Sequence, residues 1–222
     1  MTSATKINLT KPILITLYGF PGSGKSFVAR HLVEDFQLAH LNSERLRSDL
    51  FENPQYSERE DFIVSQLMSY LAQQFLIAGL GVVYDTNARN RQFRKQLADL
   101  AKRNHADYLL LWLQIDQESA YERTQKRDRR TADDKYAPEL SQSSFLEQLS
   151  QMQNPDKEPY LVLSGKHGFA SQKNSILNYF YKTKLVPREI VQSAITKPGL
   201  VNLIPHRAAE PLDLTRRNIS VG

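Results

Sequence analysis

Residues 13–26 read ILITLYGFPGSGKS, a nearly continuous apolar run that leads directly into a glycine-rich octapeptide. Such a run is typical of a strand that is buried on both faces, as the strands of parallel sheets are. GFPGSGKS at 19–26 matches G-x-x-x-x-G-K-[ST] at every fixed position, and apolar residues at helical spacing follow it. A strand, a glycine-rich turn and a helix in this order predict a phosphate-binding loop.

Each residue type in this loop has a part in holding phosphate. Glycines let backbone N–H groups turn toward phosphate oxygens without a clashing Cβ, and the helix N-terminus adds a partial positive charge. Lys25 is expected to reach the β- and γ-phosphates, and the Ser26 hydroxyl to ligate Mg²⁺. The residues expected to bind the nucleotide are Gly19, Pro21, Gly22, Ser23, Gly24, Lys25, Ser26 and Phe27.

The rest of the chain alternates strand-like and helix-like segments. Strands are predicted at 13–19, 38–42, 81–85, 107–115 and 160–165, and helical patterns lie between them, one of them over 118–130. This alternation predicts an α/β fold with a five-stranded parallel sheet between two layers of helices. The pattern stops beyond about residue 187, so we predict a domain over 1–182 and a basic tail over 183–222, where 218–221 is a candidate edge strand.

Composition limits the classes of protein that the chain can belong to. Its 222 residues are 41% hydrophobic and 24% charged, which is typical of a globular protein. The absence of cysteine excludes disulfides and thiolate chemistry. MTSATKINLT at the start lacks the apolar core of a signal peptide, and no apolar run approaches the length of a membrane span, so we expect a cytoplasmic protein without a membrane partner.

The net charge of +5 is concentrated near the end of the chain. From residue 182 onward there are seven basic and three acidic residues, which account for most of the positive excess. A basic tail can bind nucleic acid or another polyanion, and it can equally be a solvated segment without a partner.

LNSERLRSDLF at 41–51 places a carboxylate and a guanidinium three residues apart on one helix face, at Glu44 and Arg47. This helix begins where the second predicted strand ends, the edge at which ligands bind in such sheets. Glu44 could accept a proton from an attacking hydroxyl, and Arg47 could hold an acceptor phosphate. The alternative is an ordinary surface ion pair.

Two further groups of residues are candidates for the site. Asp85 ends the third predicted strand, where it could orient Mg²⁺ or hold Arg47, or simply cap the next helix; Thr86 and Asn87 follow it. YERTQKRDRR at 121–130 carries Arg123 and Arg127 four residues apart, with Arg130 beyond them. Arginines stabilise the charge of a phosphoryl group in transfer, although a solvated basic helix has the same pattern.

Taken together in this order, the four motifs resemble the P-loop kinases of the polynucleotide kinase and zeta-toxin-like group, and in particular the kinase half of the bacteriophage 5′-polynucleotide kinase. The likeness covers about residues 13–182. It implies a P-loop NTPase fold with a helical arginine lid, ATP and Mg²⁺ as cofactors, and Ser26 and Asp85 near the metal. It also implies Glu44 as general base, Arg47 as clamp for the acceptor's phosphate, and Arg123 and Arg127 as lid residues.

The sequence departs from this family in two respects. The base is usually Asp, and Glu44 is one methylene longer. No phosphatase motif D-x-D-G-[TV] follows the kinase-like part. The favoured acceptor is a nucleic acid 5′-hydroxyl. The alternatives are a small-molecule acceptor (sugar, nucleoside, antibiotic or nucleotide-sugar) and a nucleotide-dependent switch or partner-binding protein with weak ATPase activity.

Overall fold

A computed structural model describes residues 6–132 and 134–190. Its strands are β1 Ile13–Tyr18, β2 Leu38–Asn42, β3 Gly81–Asn87, β4 Asp107–Gln114 and β5 Tyr160–Ser164. All neighbouring strands pair in parallel, in the spatial order β2-β3-β1-β4-β5. The predicted five-stranded parallel sheet is confirmed, and the first and last residues of each predicted strand agree with the observed ones to within two residues.

The helices of the described chain follow the predicted alternation. They are α1 Lys25–Asp35, α2 Ser43–Leu50, α3 Glu58–Ile77, α4 Arg91–Arg103, α5 Gln117–Gln125, α6 Gln142–Ser150 and α7 Phe169–Lys182. Most begin after a residue whose side chain accepts a backbone N–H of the first turn, which fixes where the helix starts. These capping residues are Asn42, Ser57, Asn90, Asp116 and Ser141.

The central strand β1 shows why the fold has three layers. Ile13, Ile15 and Leu17 are fully buried in a core that includes α1 and α7 on one face of the sheet. Leu14, between them, is buried against α3 and α4 on the opposite face. Because successive side chains of a strand alternate between faces, a strand that is apolar throughout requires helices on both sides.

The carboxyl ends of the inner strands form the edge at which the site lies. The chain leaves β1 for the outermost strand β2, returns to β3, and then crosses to β4 on the other side of β1. In doubly wound sheets ligands bind where the direction of winding reverses, which here is beside β1. Asn42 at the end of β2 is in register with Asp85 near the end of β3.

The described chain continues beyond the predicted domain boundary at residue 182. Leu185 and Val186 are buried in the core that also contains α1 and α7, and the Leu185 carbonyl accepts a hydrogen bond from the Thr10 N–H at 3.0 Å. The predicted tail beyond residue 190, including the candidate strand at 218–221, lies outside the described residues. Within the described part, none of the helices has the length and apolar character needed to cross a bilayer.

Candidate active site

A large cavity opens at the carboxyl edge of the sheet, with a volume of about 880 Å³. It is in the upper part of the range that ligand-binding pockets occupy. Four regions contribute to its wall: the loop after β1, the start of α2, the end of β3, and the segments that follow β4 and β5. The predicted site residues that line it are Pro21, Gly22, Gly24, Lys25, Ser26, Phe27, Glu44, Asp85, Arg123 and Arg127.

The glycine-rich loop connects β1 to α1, whose first residue is Lys25. Gly24 precedes the helix in a left-handed conformation and offers no side chain to the first turn, so the backbone N–H groups there remain available to an anion. Gly22 has φ +80°, and a Cβ at this position would collide with the Ala120 carbonyl of α5. Gly19 and Ser23 do not line the cavity; the Ser23 hydroxyl is buried without a hydrogen-bond partner.

Lys25 lies inside the loop rather than in solvent. Its ammonium group donates hydrogen bonds of 2.9 Å to the carbonyls of Gly19 and Phe20. Burial lowers the pKa of Lys25 to about 8, with a smaller lowering by the Arg127 charge, while the Asp85 carboxylate opposes the shift. Replacing carbonyls by phosphate oxygens would favour the charged form of this lysine.

Asp85 forms the polar centre of the cavity floor. It accepts hydrogen bonds from the Asn42 side-chain amide at 2.6 Å and from the Ser26 hydroxyl at 3.3 Å, and Nε2 of His40 lies 3.1 Å from its Oδ2. A hydroxyl and a carboxylate side by side at a phosphate loop fit Mg²⁺, which prefers oxygen ligands and usually keeps waters and substrate phosphates. Among residues 6–132 and 134–190, no group of three or more His, Cys, Asp or Glu could by itself hold a metal ion.

Glu44 lies in the first turn of α2 and lines the same cavity. Its Oε2 is buried and has no hydrogen-bond partner. Burial raises the pKa of the Glu44 carboxyl; the charge of Arg47 and the nearby Tyr56 hydroxyl oppose this shift, and the charges of Asp61 and Asp85 add to it. A buried carboxylate oxygen without a donor is costly, and a ligand that brings an O–H group would satisfy it.

Arg47, one turn further along α2, does not line the cavity and is 5% exposed. Its Nη1 donates to Glu60 Oε2 at 3.1 Å, its Nη2 donates to Asp61, and its guanidinium carbon lies 4.8 Å from the centre of the Tyr56 ring. The sequence led us to expect a guanidinium open to an acceptor phosphate. In the structure two carboxylates of α3 already hold it.

Both lid arginines reach the cavity, but they do not lie on the same helix. Arg123 lies on α5 and donates to the Gly165 carbonyl at 2.8 Å, whereas Arg127 follows the helix and donates to the Pro138 carbonyl at 2.7 Å. Burial lowers the pKa of Arg127, and the charges of Asp134 and Glu44 oppose that shift.

The predicted helix over 118–130 is therefore wrong in its second half, because α5 ends at Gln125. Aspartate side chains explain this early end. The Asp128 carboxylate accepts the N–H of Arg130, and the Asp134 carboxylate accepts the N–H of Asp128. Such local bonds compete with helical ones. Arg130 is exposed, pairs with Asp128 and does not line the cavity.

Three residues around the site were not predicted as part of it. His40 and Asn42 occupy alternate positions of β2, so both can face Asp85 on the next strand. The sequence could have indicated their place in the site, because two polar residues are unusual in so short a strand. Tyr56, in the segment between α2 and α3, lowers the pKa of Glu44, and its place in the sequence gives no indication of this effect. Thr86 and Asn87 line the cavity as expected, and Asn87 Oδ1 is buried without a partner.

The fold and the loop define a P-loop kinase-like protein with a nucleotide-binding site. The chain belongs to the AAA domain family, whose model matches residues 14–155, more than half of its length. The comparison with curated proteins finds no match.

Several solved structures share the fold. One is Kti12 from Chaetomium thermophilum in complex with ADP-AlF3, which is 17% identical, with 78% of this chain and 100% of that chain covered and a TM-score of 0.59. A gluconokinase from Sinorhizobium meliloti 1021 is 17% identical, with 78% and 94% covered and a TM-score of 0.58. A chain of the Pnkp1/Rnl/Hen1 RNA repair complex is 18% identical, with 68% and 45% covered and a TM-score of 0.55. At these identities the likeness shows the fold alone.

Proposed function

We propose that the protein is an ATP- and Mg²⁺-dependent phosphotransferase that moves the γ-phosphate to a hydroxyl acceptor. The observation that carries this proposal is Glu44, a half-buried residue whose Oε2 is buried without a partner, in the cavity that also contains the phosphate loop. A carboxylate in this position, apart from the one beside Ser26, can take a proton from an acceptor hydroxyl or from water, and the appearance of label on an acceptor distinguishes the two.

The donor side is assigned to the loop and to Asp85. The backbone N–H groups of Gly22, Gly24, Lys25 and Ser26 and the ammonium of Lys25 would hold the phosphates. Ser26 and Asp85 would hold Mg²⁺, directly or through water, and the ion would neutralise charge on the phosphate oxygens. Arg123 and Arg127 now donate to neutral carbonyls. Phosphate oxygens form stronger, charge-assisted bonds with arginine, so the nucleotide would draw both side chains inward.

Glu44 is assigned the role of general base. The acceptor hydroxyl gives its proton to the Glu44 carboxylate while its oxygen forms a bond to the γ-phosphorus. The bond from that phosphorus to the bridging oxygen breaks, and ADP leaves with the electron pair. A raised pKa suits this role, because a base works best when its pKa approaches the working pH.

For the acceptor we favour the 5′-hydroxyl of a nucleic acid. Basic side chains at the cavity would attract a polyanion; they include Arg45, Lys126, Lys135 and Lys166. Arg47 can serve as a phosphate clamp if the incoming phosphate displaces Asp61, whose side chain is 57% exposed. The resemblance of the motifs to those of polynucleotide kinases supports the same class of acceptor, and the neighbour from an RNA repair complex shares the fold.

A small-molecule acceptor is the second candidate. It is favoured by the position of Arg47, which does not line the cavity and is held by Glu60 and Asp61. An acceptor without a phosphate has no need of this arginine. The gluconokinase neighbour is consistent with this alternative, because its fold is the same.

The test is the transfer of label from [γ-³²P]ATP to a panel of acceptors. The panel contains DNA and RNA oligonucleotides with a 5′-hydroxyl, sugars, nucleosides and aminoglycosides. Glu44→Gln is the variant, and Glu52→Gln, which changes an exposed glutamate, is its matched control.

We expect label on the oligonucleotides, lost in Glu44→Gln and kept in Glu52→Gln. Label only on the small molecules would overturn the nucleic acid assignment and leave the phosphotransferase. Label on no acceptor, with ATP still bound, would overturn the phosphotransferase and favour the nucleotide-dependent switch.

A further inference from the structure

The outer face of α3 lacks the charged residues that a solvent-exposed helix surface usually carries. Residues 62–77 include no charged side chain, although 24% of the chain is charged. Large apolar side chains are exposed on this face instead: Phe62 is 65% exposed, Tyr70 58% and Ile77 63%, and Ile63 is exposed as well. A face that is depleted of charge and carries aromatic residues is typical of the core of a protein–protein interface.

The exposed residues of α3 form one continuous stripe. At 3.6 residues per turn, every exposed residue from position 62 to the end of the helix falls within about a third of its circumference. These residues are Phe62, Ile63, Gln66, Tyr70, Gln73, Gln74 and Ile77. Their exposed surface is on the order of 800 Å², the area that each partner of a standard protein–protein interface buries.

The spacing within the stripe fits a second copy of the same helix. Ile63, Tyr70 and Ile77 are seven residues apart, as residues along the seam of a coiled coil are. Because the spacing is the same on both sides of Tyr70, an antiparallel copy places each Ile63 against Ile77 of the other copy. The two Tyr70 rings then meet at the twofold axis. This self-complementarity is what a twofold dimer interface requires.

Charge at the ends of α3 favours the same antiparallel pairing. Arg59, in the first turn, lies on the same side of the helix as Tyr70, and the last turn of α3 has no basic residue. In an antiparallel pair, Arg59 of each copy lies beside the C-terminal end of the other α3, where a cation is stabilising. A helix that lies on a membrane surface is instead rich in basic residues, and Arg59 is the one basic residue of α3.

We propose that two copies of this protein form a dimer through the outer face of α3, with the helices antiparallel and Tyr70 at the twofold axis. Among the described residues, α3 contributes none to the lining of the candidate site. The dimer therefore leaves both cavities open, and the inference does not depend on the proposed function.

The first test is the mass of the full chain in solution. Interfaces of this size bind with micromolar or tighter dissociation constants, so at about 100 µM we expect twice the monomer mass of 25.5 kDa by light scattering. Tyr70→Glu should be monomeric, because it brings two carboxylates together at the axis. Tyr181→Glu, a matched change at an exposed tyrosine of α7 on the other side of the sheet, should remain a dimer. Unchanged thermal unfolding and ATP binding would show that Tyr70→Glu is folded.

The second test uses introduced thiols, since the chain has no cysteine. Under mild oxidation, Tyr70→Cys should form a covalent dimer and Tyr181→Cys should not. Ile63→Cys mixed with Ile77→Cys should form a mixed disulfide. Ile63→Cys alone should form none, because in the antiparallel pair its two thiols are about 20 Å apart along the helix axis.

Each of the other outcomes overturns the proposal. A wild-type chain that is monomeric at this concentration has no such dimer. If its Tyr70→Cys variant also reacts slowly with maleimide, another part of the chain covers the face. Dissociation of Tyr181→Glu to the same extent as Tyr70→Glu would place the interface elsewhere. A disulfide of Ile63→Cys with itself would mean that the two helices are parallel.

Discussion

The affinity for nucleotide is expected to depend on pH through Lys25. The pKa of this lysine is about 8, chiefly because the loop buries it. The phosphates of a nucleotide bind the ammonium form and not the neutral amine. Raising the pH through 8 therefore removes the charge that the ligand needs, well below the pH at which an exposed lysine would lose it.

The magnitude follows from the pKa. At pH 7 about nine in ten molecules carry the ammonium, and at pH 9 about one in ten, so the dissociation constant should rise about tenfold, or about 1.4 kcal/mol. By linkage, binding restores the missing proton. At pH 8 we expect an uptake of about half a proton for each nucleotide bound.

The assay is an equilibrium titration with a fluorescent ATP analogue and Mg²⁺ at constant ionic strength, repeated across this pH range. Calorimetry at pH 8 in two buffers of different ionisation enthalpy measures the proton uptake. Lys25→Arg is the control, because a guanidinium remains charged throughout. Its affinity can differ from that of the wild type, but it should not change with pH.

Two results would refute this reasoning. A wild-type affinity that is constant from pH 7 to pH 9 would mean that the Lys25 charge is not lost in this range. An equal decline in Lys25→Arg would mean that another group titrates.

Three further predictions concern catalysis, the acceptor and stability. Glu44→Gln should lower kcat about 10²- to 10⁴-fold and leave the ATP dissociation constant unchanged. Because the pKa of Glu44 is raised, the wild-type rate should begin to fall on acidification at a pH above the usual glutamate pKa. Steady-state rates and ATP titrations check both. Asp61→Asn should lower the KM of a phosphate-bearing acceptor but not of its dephosphorylated form, because Asp61 competes for Arg47; equal KM values in variant and wild type contradict the clamp. Arg94→Met should reduce the free energy of unfolding by about 3 kcal/mol or more, because Glu158 and two carbonyls lose the fully buried guanidinium that donates to them; urea denaturation measures it, and a loss below about 1 kcal/mol would contradict the reasoning.

The elements that the sequence predicted well are those whose signal is local. The apolar run at β1, bounded by Pro12 and Gly19, is typical of a buried strand, and the octapeptide after it has one common use. Strand-end reasoning left Asp85 with three possible roles, and the resemblance to polynucleotide kinases implied that it lies near the metal with Ser26; in the structure the Ser26 hydroxyl donates a hydrogen bond to Asp85. The functional roles of these residues remain predictions, although their meeting in one cavity is a feature of the structure.

The features that were missed depend on contacts between distant parts of the chain. Arg47 was expected to be open, but its partner Glu60 comes thirteen residues later, on another helix. Spacing on α2 cannot reveal that pair. The lid helix was extended too far because charged residues suit a helix as well as a turn, and the aspartate bonds that end it form only in the folded loop.

The close contacts around the phosphate loop have a consequence for protein engineering. A Cβ on Gly22 would meet the backbone of α5, and a Cβ on Gly165 would lie 2.8 Å from the Ser23 carbonyl. The phosphate loop is thus packed closely against the backbone of α5 and against the segment that follows β5. Grafting GFPGSGKS onto another strand–helix junction would transfer the sequence of the loop without the neighbouring backbone that fixes its conformation. We expect such a graft to bind phosphate poorly unless that neighbouring backbone is transferred as well.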